Sequence, residues 1–212
     1  LVSAIRTPDY NRCLLDKMVV LAEAAGIEPV VVISKADLEE EEAEEAAAYY
    51  RKAGYQALPI SLVTGENMDR LEETLKGPVV AVSGPSGAGK SSLLNRILGR
   101  SRFLSGAVSR QTGRGKTTTR HAELVLCDKG YFVMDTPGYT FLELQGIEPI
   151  ELAPLFKDFR PYLGQCRFNN CIHHREPDCA VRKALEEGNI QEGRYESYKQ
   201  ILEELKSGDF RR

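Results

Sequence analysis

No run of apolar residues in this chain of 212 approaches the ~20 that a membrane-spanning helix needs. One short run, Pro29–Ile33, reads as a buried strand. The charged-then-apolar layout of a signal peptide is missing from Leu1–Asn11. An opening on Leu1 instead of Met is what a piece of a longer protein would show. There is no internal repeat and no low-complexity linker. Charge of one sign is not in excess either: 28 Lys and Arg face 31 Asp and Glu, a net charge of -3. Any nucleic-acid contact must therefore come from a local patch. The hydrophobic share of 42% against 28% charged is that of an ordinary globular protein, which excludes a disordered tail. The five cysteines are an odd number, and three crowd into 166–179, which favours a metal site in a reducing compartment over a disulfide scaffold.

Strand and helix signals alternate over residues 1–150. Asp9 or Asn11 can cap a helix with apolar positions at Leu14, Leu15, Met18 and Val19, closing at Gly26. The acidic segment Glu39–Tyr50 reads as a helix with a solvated Glu face, stopped by Gly54. Strands are predicted at Gln56–Ser61, Val79–Ser83, Glu123–Cys127 and Tyr131–Met134, with helices from Asn67 or Asp69 to Leu75 and over Lys90–Leu98. This alternation predicts an α/β sheet covered on both faces. Residues 151–212 differ. They combine a loop-rich, Cys- and His-bearing stretch with helices at Val181–Leu185 and Tyr195–Leu205, the expected second, small domain.

The segment Gly84-Pro85-Ser86-Gly87-Ala88-Gly89-Lys90-Ser91, continued by Ser92, fits G-x-x-x-x-G-K-[ST] in full. It follows a predicted strand and opens a predicted helix. Glycines there let successive N–H groups converge on phosphate oxygens, and the helix N-terminus adds partial positive charge. Lys90 is placed to reach the β- and γ-phosphates and Ser91 to ligate Mg²⁺. The bland reading is a glycine-rich turn without ligand. Downstream, Asp135-Thr-Pro-Gly138 ends a hydrophobic strand. An Asp there can hold Mg²⁺ and a Gly N–H can sense the γ-phosphate. Between the two lies Arg100–Ala122, with six basic residues, no acid, and Thr117, Thr118 and Thr119 as candidates for a switch threonine. A solvated flexible loop and a phosphate-binding loop both fit that composition.

Guanine is read by a carboxylate facing its N1–H and 2-amino group, with a lysine stem along the ring. Ser34-Lys35-Ala36-Asp37 follows a strand, and Ser61-Leu-Val-Thr-Gly65 follows the next. Either alone is weak evidence, since Lys-x-Asp after a strand is often only a cap. Their position ahead of the phosphate loop makes the chain look circularly permuted. Further on, Cys166-x₄-Cys171-x-His173-x₅-Cys179 offers three thiolates and an imidazole, a set that suits a closed, structural Zn²⁺ site. The adjacent His174 competes with His173 as ligand, and His173 is the preferred one. Unligated core thiols are the alternative, and Cys13 and Cys127 are expected to be just that.

Taken in this order, with Gly113-Arg-Gly-Lys116 and Thr118-Thr-Arg-His121 between phosphate motifs and Glu176-Pro177 inside the cysteine cluster, the motifs resemble the RsgA/YjeQ family of circularly permuted GTPases that depend on the small ribosomal subunit. The resemblance implies a P-loop NTPase fold in α/β class, a permuted GTPase domain over 1–150 and a zinc-binding, mostly helical domain over 151–212. It implies a cytoplasmic monomer without membrane contact that binds GTP and GDP with Mg²⁺, holds one structural Zn²⁺, and acts with the small subunit and its rRNA in a late maturation step. It makes Thr119 the Mg²⁺-ligating switch residue and tips the basic loop toward RNA. The family's N-terminal OB-fold domain has no counterpart in these residues. Its histidine before the two threonines is Thr117 here, which predicts slow hydrolysis or a water positioned by another group. Its Asn or Thr ahead of Lys-x-Asp is Ser34, whose hydroxyl can still brace the loop. Two rivals remain. A guanylate-type kinase would explain Gly84-Pro-Ser-Gly and leave the cysteine cluster unexplained, and a zinc-stabilised RNA-binding module would hold guanine nucleotide with little turnover.

Overall fold

The computed structural model describes residues 1–75, 79–99, 123–127, 130–135, 144 and 146–208. The chain forms two compact units. The first comprises Leu1–Tyr10, Val31–Ala48 and Ala57–Thr140, the second Asn11–Val30, Tyr49–Gln56 and Phe141–Arg212. Packing therefore does not follow a single cut at residue 150. A helix from the N-terminal part buries Val20 in the core of the second unit, so contacts rather than sequence order set the division.

In the first unit, β1 (Val2–Ala4), β2 (Val30–Ser34) and β3 (Gln56–Pro59) form a three-stranded sheet in that order. The parallel register Val2↔Val32 to Ala4↔Ser34 joins the first two. Consecutive residues of β1 and β2 are buried, as strands covered on both faces require. A second sheet has the order β4 (Val79–Val82), β6 (Phe132–Asp135), β5 (Glu123–Leu126). Here β4 and β6 are parallel, while β5 and β6 form an antiparallel pair around Gly130. The single doubly covered sheet expected from sequence is thus two among the described residues. They meet where Val2 N donates to Ser83 O at 2.7 Å, one bond before the chain turns away into the glycine loop. The second sheet is not covered on both faces by described residues either, since Val79, Phe132 and Leu126, in register with one another, are exposed.

Local chemistry explains the helices. Asn11 Oδ1 caps α1 (Arg12–Ala24) by accepting from Leu14 N at 2.9 Å. The acidic first turn and basic last turn of α2 (Glu40–Lys52) oppose its dipole, its Glu residues are exposed, and Ala43 and Ala47 are buried. Helices α3 (Met68–Thr74) and α4 (Lys90–Ile97) also lie in the first unit.

In the second unit, single 3₁₀ turns at 149–151, 153–155 and 160–162 precede α5 (Ala180–Glu186) and α6 (Glu192–Ser207). Phe156, Phe159, Tyr195 and Tyr198 make a ring cluster with centroid separations of 5.0–6.4 Å. Beside it, Arg194 is fully buried. It bonds Asp16 of α1 at 2.5 Å and Asp158 at 3.0 Å, and its guanidinium lies 4.5 Å from the Phe156 ring. Burial pushes the Asp16 carboxyl up, against the pull of Arg194.

Candidate nucleotide and metal sites

The phosphate loop joins β4 to α4, in the strand–loop–helix setting its motif requires. Gly87 and Gly89 adopt left-handed φ of 81° and 88°, open to glycine at little cost. Gly84 is fixed by proximity instead: a Cβ there would lie 2.0 Å from Val2 O. Lys90 is mostly buried and folds back over the loop, Nζ donating to Pro85 O at 2.8 Å. Ser91 is half-buried and Ser92 exposed in the first turn of α4. The register Val82↔Asp135 puts Asp135 at the C-terminal end of β6, at the same sheet end as the loop. Thr117, Thr118, Thr119, Gly138 and the basic segment lie outside the described residues.

The base-reading candidates sit in the same unit. Ser34 Oγ is buried and donates to Ala88 O at 2.7 Å, which ties the residue ahead of Lys35 to the phosphate loop. Lys35 has a left-handed φ of 59°, and its Nζ donates to Thr7 O. Asp37 is exposed, as a reader of an incoming base must be. Ser61 is buried. Its hydroxyl donates to Asp37 Oδ1 at 2.5 Å and accepts from the N–H groups of Val63 and Thr64, so it orients the carboxylate. Sequence spacing marked Ser61 as a binding residue; the geometry gives it this supporting part. The contact of Thr7 had no signal in the sequence.

In the second unit, the ligand atoms of Cys166, Cys171, His173 and Cys179 all lie within 4.8 Å of one another. His173 Nδ1 is 3.4 Å, 3.5 Å and 3.4 Å from the sulfurs of Cys166, Cys171 and Cys179. The sulfurs of Cys166 and Cys179 are 3.9 Å apart. A tetrahedron with Zn–S near 2.3 Å has edges of about 3.8 Å, so the donor set fits Zn²⁺ in size and chemistry. Burial first, and then the neighbouring thiols of Cys179 and Cys166, push the Cys171 thiol up to about 12 against the His173 N–H, so a divalent charge is what would make these groups thiolates. The carboxylate of Glu176 braces the turn, accepting from the N–H groups of Ile172, His174 and Arg175 at 2.9–3.0 Å. Desolvation opposes its charge, but these donors outweigh it and hold the carboxyl down at about 2. Tyr195 and Tyr198 donate to the carbonyls of His173 and Ile172 at 2.8 Å and 2.7 Å. His174 points elsewhere, its Nε2 3.7 Å from Glu203. Cys13 and Cys127 lie apart from the cluster.

A phosphate loop braced by a Lys-x-Asp strand that precedes it in the chain defines a P-loop nucleotide-binding protein with permuted motifs. The family model described as RsgA GTPase matches residues 1–145, and the chain belongs to that family. It is 48% identical over 213 residues to the small ribosomal subunit biogenesis GTPase RsgA of Caldanaerobacter subterraneus subsp. tengcongensis, covering 100% of this chain and 72% of that protein. It is 44% identical over 205 residues to the protein of the same name from Clostridium perfringens, covering 96% and 71%. Among solved structures, YloQ, a circularly permuted GTPase, matches with a TM-score of 0.80 and 30% identity over 98% of this chain and 67% of its own. YjeQ from Thermotoga maritima matches with a TM-score of 0.78 and 38% identity over 96% and 69%. The chain has their circularly permuted GTPase fold.

Proposed function

We propose that this chain binds and hydrolyses GTP and works as a switch in biogenesis of the small ribosomal subunit, as the names of its relatives say of them. The single observation that carries the reading is the bond from Ser34 to Ala88. It couples a guanine-reading strand end to a phosphate loop in one compact unit. Residues 1–150 act as the GTPase domain and 151–212 as the zinc-stabilised domain.

In this reading Asp37, oriented by Ser61, accepts from guanine N1–H and its 2-amino group while the Lys35 stem lies along the ring. The N–H groups of Gly87–Lys90 receive the phosphates, and Lys90 exchanges Pro85 O for β- and γ-phosphate oxygens. Ser91, Thr119 and Asp135 supply the hard oxygen donors that suit Mg²⁺, whose charge neutralises the phosphates when bound. Water attacks the γ-phosphorus, the bond to the β–γ bridging oxygen breaks, and GDP and phosphate result. Gly138 senses the loss, and release of the basic 100–122 segment alters affinity for rRNA phosphates. Cys166, Cys171, His173 and Cys179 hold one structural Zn²⁺, which supplies folding free energy to a small loop-rich unit. The protein acts as a cytoplasmic monomer. Among the described residues no helix is long and apolar enough to cross a membrane.

The test is GTP hydrolysis by the chain alone and with purified small subunits, with ATP as control. Stimulation confined to GTP supports the switch. GTP binding with no stimulated turnover supports the binding-only module, and Thr117→His then shows whether the side chain at 117 is what limits turnover. Formation of GDP from GMP and ATP would make the protein a kinase.

A further inference from the structure

We infer that the turn Arg6-Thr7-Pro8, between β1 and α1, is a strap that fixes the spacing between the guanine-reading lysine and the phosphate loop; this rests on the GTPase reading above. One side of the turn touches the base reader, since Thr7 O accepts the Lys35 ammonium. The other side touches the phosphate loop. A Cβ at Gly87 would come within 3.3 Å of Pro8 Cδ and 3.9 Å of Thr7 O. A nucleotide spans these two contacts, base at one and phosphates at the other, with only a ribose between.

The turn is fastened independently of any ligand. Ile5 N donates to Ser34 O at 3.0 Å, and Tyr10 N closes the loop on Ile5 O at 3.3 Å. Arg6 pairs with Glu42 at 2.7 Å and Glu39 at 3.7 Å in the segment that follows Asp37. Thr7 keeps a left-handed φ of 50°, unusual for a β-branched residue, and faces Lys35 with its own positive φ. Such positions persist where surroundings over-determine them, often at ligand clamps. A long flexible lysine thereby reaches the base side already ordered, and its distance to Gly87 is preset.

The strap predicts a selective defect. In Pro8→Gly, and in Thr7→Gly, which relieves the strained φ and so does not depend on folding cost, GTP and GDP affinity should fall about tenfold. Inorganic tripolyphosphate, which occupies only the phosphate loop, should bind within about twofold of wild type. In a Lys35→Met background the further loss from Pro8→Gly should shrink below about threefold, because the two act as one unit. Titration calorimetry with GTP, GDP and tripolyphosphate on the full chain reads all three, with thermal melting as the fold control. Unchanged GTP affinity in the folded variants overturns the strap. So does a tripolyphosphate loss equal to that for GTP, or an additive cycle with Lys35→Met. A wild-type chain that binds tripolyphosphate but not GTP overturns the GTPase reading itself.

Discussion

Replacing Arg194 with Met keeps a long apolar stem against Phe156 while removing the charge that two carboxylates share. Asp16 is left with its side chain fully buried, and Asp158 nearly so. Removing one partner of a buried pair costs about 3–5 kcal/mol. The charge part has a ceiling, because Asp16 can take up a proton instead. From the ordinary value of 3.8, neutralising a carboxyl at pH 7 costs about 4 kcal/mol, and at pH 5 less than about 2 kcal/mol. The sign is set by the raised carboxyl. Burial holds it above the unfolded value even with Arg194 in place, and losing that counter-charge raises it further in the variant, so the variant's deficit is smallest at low pH and grows as pH rises. The defect of Arg194→Met should therefore be about 4 kcal/mol at pH 7 and shrink by about 2–3 kcal/mol at pH 5. Urea unfolding of the zinc-saturated chain reads it by tyrosine emission, since the chain has no Trp. A loss under about 1 kcal/mol at pH 7, or one unchanged at pH 5, would refute the reasoning.

Other substitutions act on the sites directly. Gly84→Ala must push Val2 O away from a Cβ placed 2.0 Å from it, so it should break the Val2–Ser83 bond, lower the melting temperature and abolish GTP binding in calorimetry. Asp37→Asn should exchange preference for GTP over xanthosine triphosphate for its reverse, and competition binding that finds the preference unchanged removes Asp37 as the base reader. Glu176→Gln should cost roughly 1–2 kcal/mol at pH 7. Its carboxyl is depressed to about 2, so this stability is present above the unfolded 4.5 and lost as pH falls toward 2, and denaturation at pH 7 and pH 2.5 should show the difference close. Removing zinc with a chelator should unfold the second unit, release one Zn²⁺ per chain by metal analysis, and become easier as pH falls because the ligands must be deprotonated to bind.

Much of this molecule was legible in its residues because the relevant signals are local. Glycines and a Lys-Ser pair between strand and helix describe a phosphate loop wherever they fold, and Asn11 caps α1 by a bond spanning three residues. Four ligands within fourteen residues are brought together by one turn, so Cys166, Cys171, His173 and Cys179 could be grouped from spacing. Tertiary structure decided what depends on distant partners. The hydroxyl of Ser34 meets Ala88 across 54 positions, and Lys35 meets Thr7 across 28. The Arg194 pair with Asp16 spans 178. No periodicity encodes such pairs, because a buried donor takes whichever acceptor packing leaves beside it. The division of the α/β region into two sheets, and the place of α1 in the second unit's core, were decided in the same way. Sequence fixes which groups must find partners, and only the packed chain determines which partners they find.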